Sequence, residues 1–138
     1  MYTVLIADDE PWVAYGISNL IKWETLGFKI IDTALDGLSA LEKVKCHAPD
    51  LLISDIRMPG LNGLELMRRI REEQIDTEVV FMSGYTEFEY AQEAVRLGAF
   101  DYLVKQVENA DLEAMLKRIA QKLSGKKGRD WDTYFRLF

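Results

Sequence analysis

Cysteine and histidine are almost missing from this chain: Cys46 and His47 are the only ones, side by side. A lone cysteine forms no internal disulfide, which suits a reducing compartment. Two adjacent donors with no further ligand near them in sequence make no metal site, so a thiol and an imidazole at a helix end are the simpler reading. No apolar run approaches the roughly 20 residues that a membrane-crossing helix needs. Met1-Tyr2-Thr3 leads straight into the first apolar segment and leaves no room for a signal peptide, so a cytoplasmic chain without membrane contact is expected. Positive charge is in deficit as well. A net charge of -6 argues against gripping nucleic acid by itself, because phosphate contacts need clustered Lys and Arg. Internal repeats and low-complexity segments are absent.

What the chain does contain is apolar residues, 49% of the total, enough in 138 residues for one globular domain with a buried core. The organising stretch is Leu51 to Gly60, Leu-Leu-Ile-Ser-Asp-Ile-Arg-Met-Pro-Gly, which carries Asp55 to the end of an apolar run and breaks at Pro59-Gly60. Three other runs also stop at polar groups: Val4 to Ala7 at Asp8 and Asp9, Val79 to Met82 at Ser83, and Tyr102 to Val104 at Lys105.

Taken in order, Tyr2 to Ala7 is uninterrupted after Thr3 and reads as a strand covered on both faces. Pro11 falls at a first helical position, and Val13, Ile17, Leu20 and Ile21 form the stripe of a helix ending near Trp23 to Gly27. Phe28 to Ala34 is a second strand, whose Lys29 and Asp32 suit a sheet edge. Asp36-Gly37 turns into a second helix with Leu38, Leu41 and Val44 inward, closed by Pro49. Leu51 to Ser54 is the third strand, and Asn62-Gly63 opens a third helix with Leu64, Met67 and Ile70 inward. Val79 to Met82 is the fourth strand. A fourth helix from about Glu87 to Leu97 turns Tyr90, Ala91, Ala94 and Val95 inward and stops at Gly98. Phe100 to Val104 is the fifth strand, and Leu112, Met115, Leu116, Ile119 and Leu123 mark the last helix. Residues 124–129 read as a linker. The expected domain is therefore 1–124, with 125–138 a linker or C-terminal extension whose Trp131, Tyr134, Phe135 and Phe138 fold back or begin a longer connection.

Five alternations of strand and helix imply a mostly parallel, doubly wound sheet with right-handed crossovers and helices on both faces. Such sheets bind ligands beyond the carboxyl ends of the strands, where strand order reverses. Strand two brings no polar group of this kind to that edge, which fits the order 2-1-3-4-5 with the crevice between strands one and three. There Asp8, Asp9 and Asp55 converge. Like charges so close raise at least one pKa unless a cation joins them, and oxygen donors with room for water suit Mg2+. Lys105 adds a positive charge and Ser83 a hydroxyl, completing a cradle for a phosphoryl group in which Asp55 can act as nucleophile. Singly, each Asp is better read as a turn or cap residue, Ser83 as a turn residue and Lys105 as a solvated charge. Their coincidence at four of the five strand ends favours a site.

The motifs Ala7-Asp8-Asp9-Glu10-Pro11, Ser54-Asp55-Ile56-Arg57-Met58-Pro59-Gly60, Asn62-Gly63, Met82-Ser83-Gly84, Leu97-Gly98-Ala99-Phe100-Asp101-Tyr102-Leu103 and Lys105 together resemble the receiver domains of two-component response regulators. The resemblance covers roughly Tyr2 to Leu123 and implies a flavodoxin-like (βα)5 fold. It also implies that Asp55 takes phosphate from a sensor histidine kinase. Mg2+ would be held by Asp9 directly, by Asp8 largely through water, by Asp55 and by the backbone carbonyl of Arg57. Ser83 would contact the phosphoryl group, Lys105 would pair with it, and Tyr102 would swing inward as Ser83 moves. Trp23 to Phe28 and Ser83 to Ala91 look like the subgroup whose receiver precedes an AraC-type helix-turn-helix output domain, so DNA would be bound through a domain outside this chain.

One position departs from the family pattern. The family normally follows its lysine with proline, usually through a cis peptide, whereas here Gln106 follows Lys105. A cis bond before a non-proline residue costs about 2.5 to 4 kcal/mol, so a trans Lys105-Gln106 bond in a rearranged loop is expected. The switching element implied is Ser83 with Tyr102, and the surface it reshapes is the fourth helix, fifth strand and fifth helix, with Glu87, Glu89, Glu93, Arg96, Asp101 and Lys117. That surface serves a homodimer or an output domain, or is an ordinary solvated face. Two rivals remain at this stage: a receiver acting only as a protein-interaction module, for which Gln106 is the sole support, and a Mg2+-dependent phosphatase with Asp55 as nucleophile, which would need a general acid that Ile56-Arg57 does not supply.

Overall fold

The computed structural model describes residues 1–84 and 88–136, the side chains at 88, 91 and 126–136 excepted. Five strands, β1 (Tyr2–Ala7), β2 (Phe28–Ala34), β3 (Leu51–Asp55), β4 (Glu78–Ser83) and β5 (Asp101–Val104), alternate with five helices. These are α1 (Pro11–Leu20), α2 (Gly37–His47), α3 (Gly63–Glu72), α4 (Phe88–Arg96) and α5 (Asn109–Arg136), with a 3-10 turn at Trp23–Leu26 before β2. The sheet order is β2-β1-β3-β4-β5 and every pairing is parallel, as the alternation and the polar edge strand predicted.

Strand periodicity divides the core in two. Leu5, Ala7, Leu52, Val79 and Phe81 face α2, α3 and α4, where they meet Ala40, Leu41, Val44, Met67 and Ile70. Val4, Ile6, Ile53, Val80 and Met82 face the other way and meet Ala14 and Ile17 of α1 and Leu112, Met115, Leu116, Ile119 and Leu123 of α5. The central strands β1, β3 and β4 thus bury both faces, which is why they read as unbroken apolar runs, whereas the edge strands β2 and β5 stay partly exposed. Full burial of one such side chain stabilises by about 1.5 to 3 kcal/mol. The rigid ends of these strands are what hold the polar residues in place.

Loop geometry at the carboxyl edge is fixed by two helix starts. Asn62 accepts a hydrogen bond from the Glu65 amide at 2.9 Å while Glu65 accepts from the Asn62 amide, a reciprocal cap on α3. Asp36 caps α2 by accepting from the Ser39 amide at 2.7 Å. Asn62→Ala is expected to cost about 1 kcal/mol, read as a lower urea midpoint at unchanged slope.

Three inward-facing residues expected from the helical spacing lie outward instead. Leu38 is 55% exposed, because α2 buries Gly37, Ala40, Leu41 and Val44 and places Leu38 one step off that face, over Gly60. Tyr90 is 48% exposed and reaches over the loop after β3, where it shares a small cavity with Ile56, Arg57, Asn62 and Leu64. Val95 sits beside buried Ala94 and is left at the rim of the α4 contact. Glu87, the expected start of α4, lies outside the described residues, as does the side-chain arrangement of Trp131, Tyr134, Phe135 and Phe138. The backbone of α5 is helical across 124–129, where composition suggested a linker. Two glycines there cost about 1 kcal/mol each against alanine, and the flanking Lys and Arg are good helix formers.

Candidate phosphoryl-acceptor site

The three acidic residues come together at the carboxyl edge of the sheet. Asp55 is the last residue of β3 and Asp8 follows β1, and β1 pairs directly with β3 up to Ala7 and Ser54. Ligand oxygens of Asp8, Asp9 and Asp55 lie within 4.8 Å of one another; Asp8 and Asp55 are buried and Asp9 is exposed. Asp9 and Arg57 line one shallow cleft of about 350 Å3 with Met58, Pro59 and Asn62.

Lys105 closes the other side. Its Nζ donates to Asp55 Oδ2 at 3.0 Å and stands 3.9 Å from Asp8 Oδ2. Its amide donates to the Ser83 carbonyl at 2.8 Å, which ties the end of β5 to the end of β4. Among the described residues no peptide bond is cis, so the Lys105-Gln106 bond is trans as expected, and Gln106 takes a left-handed φ of 67°. Ser83 is 1% exposed at the end of β4. Tyr102 pairs with Phe81, half-buried against the core under α3 and α4, one diagonal step from Ser83 on the same face of the sheet.

Electrostatics follow from the burial. One oxygen of Asp8 accepts from the Glu10 amide at 2.9 Å, while its Oδ2 is buried with no hydrogen-bond partner among the described residues. Burial, with the like charges of Asp55 and Asp9 added, raises the Asp8 pKa from 3.8 to about 6 against the opposing pull of the Glu10 amide and Lys105. For Lys105, burial opposes the charged form, but the hydrogen bond and charge of Asp55, then Asp8 and Glu10, outweigh it and raise the pKa above the ordinary lysine value. A buried carboxylate oxygen lacking a donor, set among two further carboxylates, fits a hard divalent cation such as Mg2+.

Sequence reasoning found each of these residues but missed what holds the loops. Gly37 and Gly63 stand at the first positions of α2 and α3, and a Cβ on either would strike the 55–61 segment: the Leu61 carbonyl oxygen for Gly37, and that of Asp55, at 2.7 Å, for Gly63. The signal was a glycine directly after each capping residue, where an isolated helix has no need of one. Also unforeseen is a groove of about 450 Å3 between α1 and the 104–107 loop, with Trp12 and Glu10 beside Lys105 and Gln106.

Comparison with known proteins agrees with this geometry. HptR, a transcriptional regulatory protein of Staphylococcus aureus, is 39% identical over 123 residues, 89% of this chain and 48% of its own length. The chain thus spans about half the length of that regulator. The receiver domain of AraT, a response regulator from Geobacillus stearothermophilus, superposes with a TM-score of 0.86 at 37% identity, covering 91% of this chain and 98% of that one. A two-component transcriptional regulator AraC from Clostridium phytofermentans superposes with a TM-score of 0.82 at 34% identity, covering 92% and 98%. The structural neighbours thus include an AraC-type regulator, consistent with the subgroup suggested by Trp23 to Phe28 and Ser83 to Ala91. Residues 4–117 match the response regulator receiver domain, and with the acidic edge and the 2-1-3-4-5 sheet in place this chain belongs to that family of two-component signalling domains.

Proposed function

We propose that this domain accepts a phosphoryl group on Asp55 from a sensor histidine kinase and passes the change to a transcriptional output. The observation that carries the reading is the Lys105 Nζ at 3.0 Å from Asp55 Oδ2, within a cluster of three convergent carboxylates. An oxygen of Asp55 attacks the phosphorus of the donor, an O–P bond forms, and the donor's P–N bond, or P–O bond in a small acyl phosphate, breaks with its electrons leaving on the donor. The product is an acyl phosphate. Lys105 would meet the charge spread over the phosphoryl oxygens, and Ser83 would donate its hydroxyl to one of them. Asp8, Asp9, Asp55 and the Arg57 carbonyl would hold Mg2+, which when bound neutralises charge on the transferring group.

The output side follows from the same strands. A phosphorylated Asp55 adds up to about two negative charges at one point, and Ser83 with Tyr102 is the element we assign to sense them. Shifting a two-state equilibrium from 1:99 to 99:1 requires about 5.5 kcal/mol of preference for one arrangement. The surface so reshaped is α4, β5 and α5, where Leu97 and Val104 are 48% and 40% exposed and where a homodimer or an output domain would dock. DNA would be bound by an AraC-type domain beyond residues 125–138, in the cytoplasm. Among the described residues no helix is long and apolar enough to cross a membrane.

Incubation with acetyl phosphate and Mg2+, followed by intact mass, tests the acceptor chemistry. One hydroxylamine-sensitive phosphoryl group is expected, absent without Mg2+ and absent from Asp55→Ala. No gain by a wild-type protein that binds Mg2+ would favour a phosphorylation-independent interaction module.

A further inference from the structure

We propose that Gln106 is a positioning residue for Lys105: its left-handed backbone, not its side chain, turns the chain so that the ammonium reaches Asp55 from a trans peptide bond. The inference rests on the phosphoacceptor reading above. Three non-glycine residues among those described have positive φ: Ala48 at 41°, Gln74 at 59° and Gln106 at 67°. Ala48 directly follows α2, and Gln74 comes just after Glu73, the residue that caps α3; at both places a left-handed residue is an ordinary helix terminator. Gln106 alone follows a strand. It is exposed, so no burial of its side chain offsets the steric cost of that conformation, which a β-branched residue tolerates worst and glycine best.

The demand for the turn is visible on either side. Lys105 is the last point of sheet pairing, through its amide to Ser83, and α5 begins at Asn109. Three residues must therefore reverse the chain onto the helix while the Lys105 side chain points back across β4 to Asp55. The left-handed turn at 106 does this directly after Lys105, so its loss moves the lysine backbone and leaves the three carboxylates where they are.

The test is the initial rate of acetyl phosphate uptake with Mg2+ for Gln106→Gly, Gln106→Asn, Gln106→Ala and Gln106→Val, each also in a Lys105→Ala background. Lys105→Ala alone is expected to slow uptake about a hundredfold, the usual cost of one charge-stabilising donor. Gln106→Val is expected to slow uptake at least about tenfold, since displacements near 1 Å carry losses of that size or more. Gly and Asn stay within about threefold of wild type and Ala falls between. In the Lys105→Ala background all four become equivalent, because a residue acting through Lys105 has nothing left to position. Within the Lys105→Ala background Mg2+ affinity is the same for all four residues at 106, because the three carboxylates stay where they are. Crystal structures of the variants are expected to keep Lys105 Nζ within hydrogen-bond reach of Asp55 in Gln106→Gly and to show it displaced in Gln106→Val. Equal rates for Gly and Val, or the same Val defect with and without Lys105, would overturn the inference. If Val does not fold, Gly against Ala decides in the same way. No uptake by wild type would defeat the acceptor reading itself, a different result.

Discussion

Gly63→Ala is expected to destabilise the domain by about 3 kcal/mol or more and to slow phosphoryl uptake in whatever fraction remains folded. The added Cβ would stand 2.6 Å from Phe81 Cε1, 2.7 Å from the Asp55 carbonyl oxygen and 3.0 Å from Ile56 Cα. Two of those three atoms are backbone, and the third belongs to a ring with 0% exposure in the middle of the core. None can give way cheaply in an interior packed to crystal density. The segment is further pinned by the Gly63 amide, which donates to the Ile56 carbonyl at 2.6 Å, so relief must come from moving the very peptide that carries Asp55. Gly37→Ala should behave alike through Leu61. Gly16→Ala is the control: nothing lies within 4 Å of its Cβ position, and an exposed helical glycine replaced by alanine gains up to about 1 kcal/mol. Urea unfolding of the three variants separates the cases, and a Gly63→Ala midpoint equal to wild type would show that the loop is free to move.

Asp8→Asn is expected to stabilise the metal-free protein at pH 8 by about 1 to 3 kcal/mol while removing most of its affinity for Mg2+. Asp8 has a folded pKa of about 6 against an unfolded 3.8. A raised carboxyl pKa means that the folded state holds the proton more tightly. The contribution of Asp8 is therefore most favourable below pH 3.8, declines as the pH rises toward 6, and leaves its full penalty above 6. Two pKa units at 1.36 kcal/mol each set that penalty near 3 kcal/mol. A bound divalent cation offsets it, so the gain in stability on adding Mg2+ should be larger at pH 8 than at pH 5, and Mg2+ affinity should fall about tenfold per pH unit below 6. In Asp8→Asn both the pH dependence and the response to Mg2+ should flatten. A variant less stable than wild type at pH 8 without metal would contradict the assignment. On the proposed reading, the domain would thus give up stability to keep a charged metal cradle.

The fold was legible because its strands are short and four of the five end at a polar residue: the acidic edge followed from Asp8, Asp9, Asp55, Ser83 and Lys105, and the strand order from strand two, which carries Lys29 and Asp32 and brings no such group to that edge. Helix faces were less so. Leu38, Tyr90 and Val95 fit an inward stripe by spacing, but two of them instead lie over the loop after β3, a contact that spacing within one helix cannot report. The close approach of Gly37 and Gly63 to that same loop is likewise tertiary, and only the position of each glycine after a cap hinted at it. At Gln106 the trans bond followed from peptide energetics, while nothing in the sequence signals the left-handed backbone there, since glutamine is not a residue that favours it.

The measurement that tests the central claim most directly is the position of the phosphoryl group. Hydride reduction converts an aspartyl phosphate into homoserine, a stable mark readable by tandem mass spectrometry of peptides. After acetyl phosphate, Mg2+ and borohydride, the account predicts homoserine at position 55 and aspartate intact at positions 8 and 9. Homoserine at 8 or 9, or none anywhere in a protein that gained a phosphoryl mass, would contradict it.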